Sequence, residues 1–374
     1  MEIPLAQPDI TEREIAAVTE VLQSPRLSLG PKLEAFEQRV AEYAEVQHAV
    51  AVNSGTSALH LIVRSMGLGH GDEVITTPFS FVASANCLLF EGAAPVFADI
   101  KPDTLNIDPE RIEAALTPRT KAILAVDVFG HPADWDEIRQ IAEEHDLWLI
   151  EDSAEALGAE YKGHKAGSLG DAAVFAFYPN KQITTGEGGM VLTDDLEIAQ
   201  QCRSLRNQGR GEGAGWLQHE RLGYNFRLSD INCALGLAQM ERIEELLDGR
   251  RRVADLYNER LRDIGDVCVP YVSPDVRISW FVYVIRLAER FARDDRDAIL
   301  AQLRDRGIGC SNYFSPIHLQ PFYRVDFGYG PGDFPVTEGV AERTIALPFY
   351  NRMTEAEADY VVGQLSQILT DMSS

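Results

Sequence analysis

The 374-residue chain is 45% hydrophobic and 25% charged, ordinary for a globular protein of two domains. Its 58 acidic residues outnumber 34 basic ones, giving a formal net charge of −24. That surplus repels polyanions, so DNA, RNA and an anionic membrane surface are poor partners, whereas a small phosphorylated ligand needs only a local site. Five scattered cysteines form no CxxC pair, and the eight histidines show no HxxxH or HExxH spacing. A disulfide framework and a metal site are therefore not expected. The start, MEIPLAQPDI, lacks a basic-then-apolar leader, and no run approaches the ~20 apolar residues of a membrane span. The expectation is a cytoplasmic protein.

In chain order, short apolar runs alternate with helical patterns. The runs are Ala49–Asn53, Glu73–Thr77, Pro95–Asp99, Lys121–Phe129, Leu147–Asp152, Ala172–Phe177 and Gly189–Thr193. Near-continuous apolar strands suit a sheet covered on both faces. Helical segments Thr56–Met66, Ser80–Phe90, Pro109–Leu116 and Asp134–His145 lie between them, with Asp134 as an N-cap. GLGHG at Gly67–Gly71 precedes a strand, so it reads as a helix stop and not as a dinucleotide loop. The alternation predicts an α/β fold with a mostly parallel seven-stranded sheet. From Ser229 to about Leu261 the pattern predicts one long helix. Trp280–Leu287, a helix near Asp295–Arg306 and a helix near Glu355–Leu369 follow. The expected division is a large α/β domain over 1–245 and a small α+β domain over 246–374. Glycine-rich loops are expected near Gly209–Gly215 and Gly328–Gly332.

Ligands of open α/β sheets bind outside the carboxyl ends of the strands. Ser54, Gly55 and Thr56 follow the first run and open a helix, whose free N–H groups can hold a phosphate; the alternative is a simple cap. Glu151, Asp152 and Glu155 end the fifth run. A buried acid needs a partner, such as a cationic ring nitrogen, and the alternative is again a cap. Lys181 follows the sixth run. Desolvation favours a nucleophilic amine there, and the alternative is a surface lysine in a flexible turn. A phosphate cradle, a strand-end acid and a lysine on one sheet edge together match the needs of pyridoxal phosphate.

Several stretches carry a specific resemblance over nearly the whole chain. They are NSGTSALHL, TPFSFVASANCLLFEGAAPVF, LIEDSAEALGAEYKGHKAGSLGD, FAFYPNKQITTGEGGM, LGYNFRLSDINCALGLAQMERI, SWFVYVIRL and IHLQPFY. The sequence resembles the sugar aminotransferases of the DegT/DnrJ/EryC1/StrS type, a branch of the fold-type-I (aspartate aminotransferase-like) pyridoxal-phosphate enzymes. The resemblance implies Lys181 as the Schiff-base lysine and Asp152 as the partner of the pyridine nitrogen. It implies Ser54, Gly55 and Thr56 as the phosphate cradle and Phe81 as a ring stacked on the pyridine. Glu155 falls beside the ring hydroxyl, where many members have Gln or His. Asn225 matches a residue that reaches the phosphate in a neighbouring subunit, implying a homodimer with shared active sites. His318 falls near the sugar.

Two positions depart from the pattern. Ala176 stands where members usually carry a phosphate-binding serine, a loss of one hydrogen bond worth about 0.5–1.5 kcal/mol. Glu155 places a carboxyl beside a phenolate-like oxygen, which requires a proton on one of them, and it resembles the perosamine-synthase branch. The implied reaction is amino transfer from L-glutamate to a keto nucleotide sugar, with a 4-keto-6-deoxy sugar favoured. A 3-keto sugar or keto-cyclitol acceptor, or a non-catalytic cofactor-binding regulator, are the alternatives. Lys181 favours transamination over the dehydration performed by members with His there. Arg26, Arg203, Arg206, Arg210, Arg221 and Arg227 are candidates for a substrate diphosphate, and Trp216 and His219 for the site wall. Phe314, Phe322 and Tyr323 read as core.

Overall fold

The computed structural model describes residues 1–211 and 218–373. Seven strands form the main sheet: β1 His48–Val52, β2 Glu73–Thr76, β3 Ala94–Phe97, β4 Thr120–Val126, β5 Trp148–Asp152, β6 Ala172–Ala176 and β7 Gly189–Thr193. Their order is β1-β7-β6-β5-β4-β2-β3. Only β7 runs antiparallel to its neighbours, β1 and β6. All seven expected strands are present. Both faces are covered because alternate residues enter different cores: Val50, Val52 and Val174 join one, and Ala49, Ala51 and Phe175 another.

Helices cross between the strands. The Gly55–Ser65 helix stops as GLGHG requires: Gly67 takes φ 72°, and the Leu68 N–H bonds to the Val63 carbonyl at 3.2 Å. Two helices outside the expected set, Glu12–Leu22 and Pro31–Ala44, precede β1. A third, Leu196–Arg206, is capped by Asp195.

Three expectations need correction. The run Lys121–Phe129 is strand only to Val126; Phe129 and Gly130 then adopt positive φ of 57° and 87°. At Gly130 a Cβ would stand 1.8 Å from the Ser279 carbonyl oxygen, so only glycine permits that turn. Asp134 caps no N–H; its carboxylate binds Lys101 at 2.6 Å instead. The single helix expected from Ser229 to Leu261 is two, Asp230–Met240 and Ile243–Leu261. The break is at Arg242, whose φ of −123° is non-helical. Its buried guanidinium meets Glu14 at 3.2 Å, Asp9 at 3.4 Å and Glu245 at 2.6 Å. Neither Pro nor Gly marks the break, so local sequence could not show it.

The Ile243–Leu261 helix leads into an antiparallel sheet of β8 Val267–Cys268, β9 Tyr283–Leu287 and β10 Thr344–Leu347, in the order β8-β9-β10. The helices Arg293–Asp305 and Glu355–Ser373 complete this part. Its core holds Tyr257, Tyr283, Ile285, Ile299 and Leu365, and Ile3 from the other end of the chain joins it. Phe281 and Val282, just before β9, pack instead into the core of the main sheet. Among the described residues no helix is long and apolar enough to cross a membrane.

Candidate active site

The carboxyl ends of β1, β5 and β6 carry the residues singled out from sequence. At β1, the Ser54 hydroxyl caps the Gly55–Ser65 helix by accepting the Ser57 N–H at 3.0 Å. The Ala58 N–H returns to the Ser54 carbonyl at 3.1 Å. The N–H groups of Gly55 and Thr56 have no protein partner among the described residues. Cap and cradle therefore coexist, and the two free donors sit at the positive end of the helix dipole. Close packing shapes this corner. A Cβ on Gly55 would lie 2.8 Å from the Ala176 Cβ, and one on Gly189 would lie 2.5 Å from the Ser54 carbonyl carbon.

At the end of β5, Asp152 is 4% exposed. It accepts the Ser84 hydroxyl at 2.7 Å and the Ala154 N–H at 3.2 Å, and among the described residues no Lys or Arg reaches it within ion-pair distance. Burial raises its pKa, against those two donors and the charge of Lys181. Such an acid lacks a cationic partner, which a protonated ring nitrogen would supply. Phe81 stands one turn before Ser84, whose N–H bonds to the Phe81 carbonyl at 3.2 Å, and it is 62% exposed.

Lys181 lies in the loop after β6, with a side chain only 13% exposed, so it is no surface lysine. Its Nζ is 3.4 Å from the Glu155 Oε1 and 3.8 Å from the centre of the Phe281 ring. Glu155 also accepts the Phe129 N–H at 3.0 Å, the donor delivered by the left-handed turn at Phe129–Gly130. Burial raises the Glu155 pKa, and Lys181 offsets this only in part. A carboxyl held up in this way can carry the proton that its expected place beside a ring oxygen requires.

The remaining candidates fall elsewhere. Asn225 is exposed and bridges Asn207; the next carbonyl, of Phe226, accepts the Asn53 N–H at 2.9 Å. The GYNFR segment thus runs beside the end of β1, but Asn225 makes no contact with Lys181 or Asp152. His318 is fully buried, paired with Glu338 at 3.1 Å and edge-on to Phe334. None of its contacts is with Lys181, Asp152 or Glu155, so the structure does not bring it into this group. Arg206 is committed to Glu37 and the Ala51 carbonyl. Arg203, Arg206, Arg210 and Arg221 line a cavity of about 1060 Å³. Trp216 lies outside the described residues. His219 is exposed and bonds to the Gln208 carbonyl at 2.8 Å. Tyr323 is core, as expected, whereas Phe322 is 40% exposed.

Sequence reasoning missed a wall of aromatic rings. Phe314 stacks on Phe129 at 5.2 Å and on Tyr313 at 5.2 Å, and Tyr313 faces Phe281 at 6.5 Å. Phe314 therefore belongs to this wall as much as to the core. Ser84 and Gln182 were missed too. Gln182 Nε2 binds the Glu155 carbonyl at 2.5 Å and the Ser279 carbonyl at 3.0 Å. The one available signal was its position directly after the lysine.

The comparisons with known proteins agree with this geometry. Residues 8–366 match the model of the DegT/DnrJ/EryC1/StrS aminotransferase family. The chain is 40% identical over 369 residues to the GDP-perosamine synthase of Caulobacter vibrioides, covering 98% of each. The structure of PseC from Helicobacter pylori, an aminotransferase involved in pseudoaminic acid biosynthesis, is 31% identical. It superposes with a TM-score of 0.94 over 99% of this chain and 100% of that one. Spr1654 of Streptococcus pneumoniae in its PLP form is 30% identical, with a TM-score of 0.95 over 99% of each chain. The seven-stranded sheet is the fold-type-I architecture shared with these structures. The chain belongs to the DegT/DnrJ/EryC1/StrS aminotransferase family, whose members are pyridoxal-phosphate-dependent enzymes.

Proposed function

We propose that this chain transfers the amino group of L-glutamate to a keto nucleotide sugar, with a 4-keto-6-deoxy sugar as the favoured acceptor. The observation that carries the reading is the convergence of Lys181, Glu155 and Asp152 beside a helix N-terminus with two free N–H groups. Bound pyridoxal phosphate supplies an aldehyde carbon and an electron-accepting ring. Ser54, Gly55 and Thr56 hold its phosphate, with Asn225 of a second copy of the chain adding a contact. Asp152 keeps the ring nitrogen protonated, which restores the charge partner that the buried carboxylate lacks. Phe81 covers a ring face, and Glu155 shares a proton with the ring oxygen. Lys181 Nζ would hold the cofactor and would be the group placed to take and return a proton there. Shared sites make a homodimer part of this reading. So is a domain division near residue 245, where the parallel sheet gives way to the antiparallel one. The acceptor class is supported by Glu155 and by the 40% identity to a GDP-perosamine synthase.

The test is the visible spectrum of the cofactor-loaded protein before and after L-glutamate, followed by acceptors. Bleaching by glutamate, then recovery of colour with a 4-keto-6-deoxy nucleotide sugar but not a 3-keto one, is the expected result. A band that glutamate leaves unchanged overturns the donor, and recovery only with 3-keto sugars overturns the acceptor.

A further inference from the structure

The Ile243–Leu261 helix carries Arg250, a buried arginine that among the described residues has no carboxylate within 4.0 Å, the charge of Asp9 acting on it only from farther away. Its guanidinium binds four backbone carbonyls. One terminal nitrogen donates to Lys181 at 2.6 Å and Asn180 at 3.2 Å, and the other to Phe281 at 3.0 Å and Trp280 at 3.4 Å. Its Nε is buried without a partner. Burial pulls its pKa down to about 10, which leaves it charged at neutral pH. A buried charge is costly unless oriented dipoles replace its water, and here four carbonyls do so.

The four acceptors belong to two segments that meet at the amine. Asn180 and Lys181 are the backbone of the lysine itself. Trp280 and Phe281 are the backbone of the segment whose Phe281 ring lies 3.8 Å from Lys181 Nζ. Gln182 stitches the same segments from the far side, through the Glu155 and Ser279 carbonyls. The planar guanidinium puts a separate nitrogen on each backbone and so fixes their spacing; a lysine ammonium offers one nitrogen and no such spacing.

We propose that Arg250 is the positioning residue for Lys181: it locks the lysine backbone to the Phe281 segment and so fixes where the amine stands. This rests on the reading of Lys181 as the cofactor-binding amine. The bond concerned would join Nζ to the aldehyde carbon, with the carbonyl oxygen and the two amine hydrogens leaving as water.

The test compares two cofactor forms on one protein. Pyridoxal phosphate can bond to Lys181, whereas pyridoxamine phosphate cannot and uses only the cradle and the ring contacts. In Arg250→Lys, affinity for pyridoxal phosphate should fall roughly tenfold or more while that for pyridoxamine phosphate stays within about twofold. The growth of the visible band on mixing should slow by a similar factor. A purely structural role would weaken both forms equally, and that result, or no change in either, overturns the proposal. The comparison is a ratio within one preparation, so partial folding does not disturb it. If Arg250→Lys gives no folded protein, Arg250→Gln, which removes the buried charge, takes its place with the same expectation. Lys181→Ala is the separate control and should bind both forms alike. A Lys181→Ala protein that still prefers pyridoxal phosphate and turns over normally would instead sink the reading of Lys181.

Discussion

Two of the buried acidic sites in this molecule contrast, one around Glu14 and one around Asp152 and Glu155. Glu14 is 1% exposed, and the other two 4% and 6%. Burial is thus matched, yet their chemistry is opposed. Glu14 accepts the Thr11 N–H at 2.7 Å and hydroxyl at 2.5 Å, the Gln239 amide at 2.7 Å and the Arg242 guanidinium at 3.2 Å. Burial pushes its pKa up, but the hydrogen bonds from Thr11 and Gln239 outweigh this and bring it down to about 2. Asp152 has two neutral donors, and Glu155 has one N–H and a lysine at 3.4 Å; burial wins at both. A satisfied acid is structural glue, and an under-satisfied acid beside a nucleophile is poised for a ligand.

The largest effects belong to the under-satisfied site. On the proposed reading, in which Lys181 both bonds the cofactor and carries the proton, Lys181→Ala should lower turnover with glutamate about 10³-fold or more. Normal turnover would end the comparison, because the poised acids would then serve no nucleophile. Asp152→Asn should lower kcat about 10²–10³-fold at near-normal folding, read by the rate of glutamate bleaching. Its amide keeps the shape and discards only the charge that the proposed reading pairs with the ring nitrogen.

Stability should separate the two sites in the opposite sense. Glu14→Gln should destabilise the protein by about 2–3 kcal/mol at pH 7 with turnover per folded molecule unchanged. The Glu14 folded pKa is depressed, from 4.5 to about 2, so its contribution is complete above 4.5 and fades as pH falls toward 2. Asp152 has a raised folded pKa, so its ionised form works against folding. Its contribution is complete below 3.8 and is lost as pH rises through the folded value. In cofactor-free protein at pH 7, Asp152→Asn should therefore be neutral or stabilising. Denaturant midpoints of both variants across pH check the signs. Destabilisation by both at pH 7 would mean that Asp152 is glue as well.

Much of the sheet was readable from local order, because each strand is a short, largely apolar run, and the candidate site residues were chosen because they end or closely follow one. Lys181, Asp152 and Ser54 came from that rule together with the family resemblance. What was not readable depends on contacts distant in sequence. Arg242 breaks a helix for acids more than 225 residues away, and Arg250 holds Lys181 from 69 residues away. His318 shows the converse: a polar residue in a matching motif turns inward to Glu338, a partner 20 residues on that the motif does not announce.

The smallest expected effect tests how far the cradle can be improved. Ala176 ends β6 directly against Gly55, at the corner where the N–H groups of Gly55 and Thr56 have no partner among the described residues. A hydroxyl here adds one donor to a charged acceptor without enlarging the backbone. Ala176→Ser should tighten pyridoxal phosphate binding about two- to tenfold, the worth of one net hydrogen bond, with kcat unchanged. Pyridoxamine phosphate should gain by the same factor, because the phosphate is common to both forms. Equal gains would place Ala176 in the cradle and leave the Lys181 side untouched. A gain for pyridoxal phosphate alone would tie Ala176 to the amine, and no gain in either would show that the free N–H groups already satisfy the phosphate.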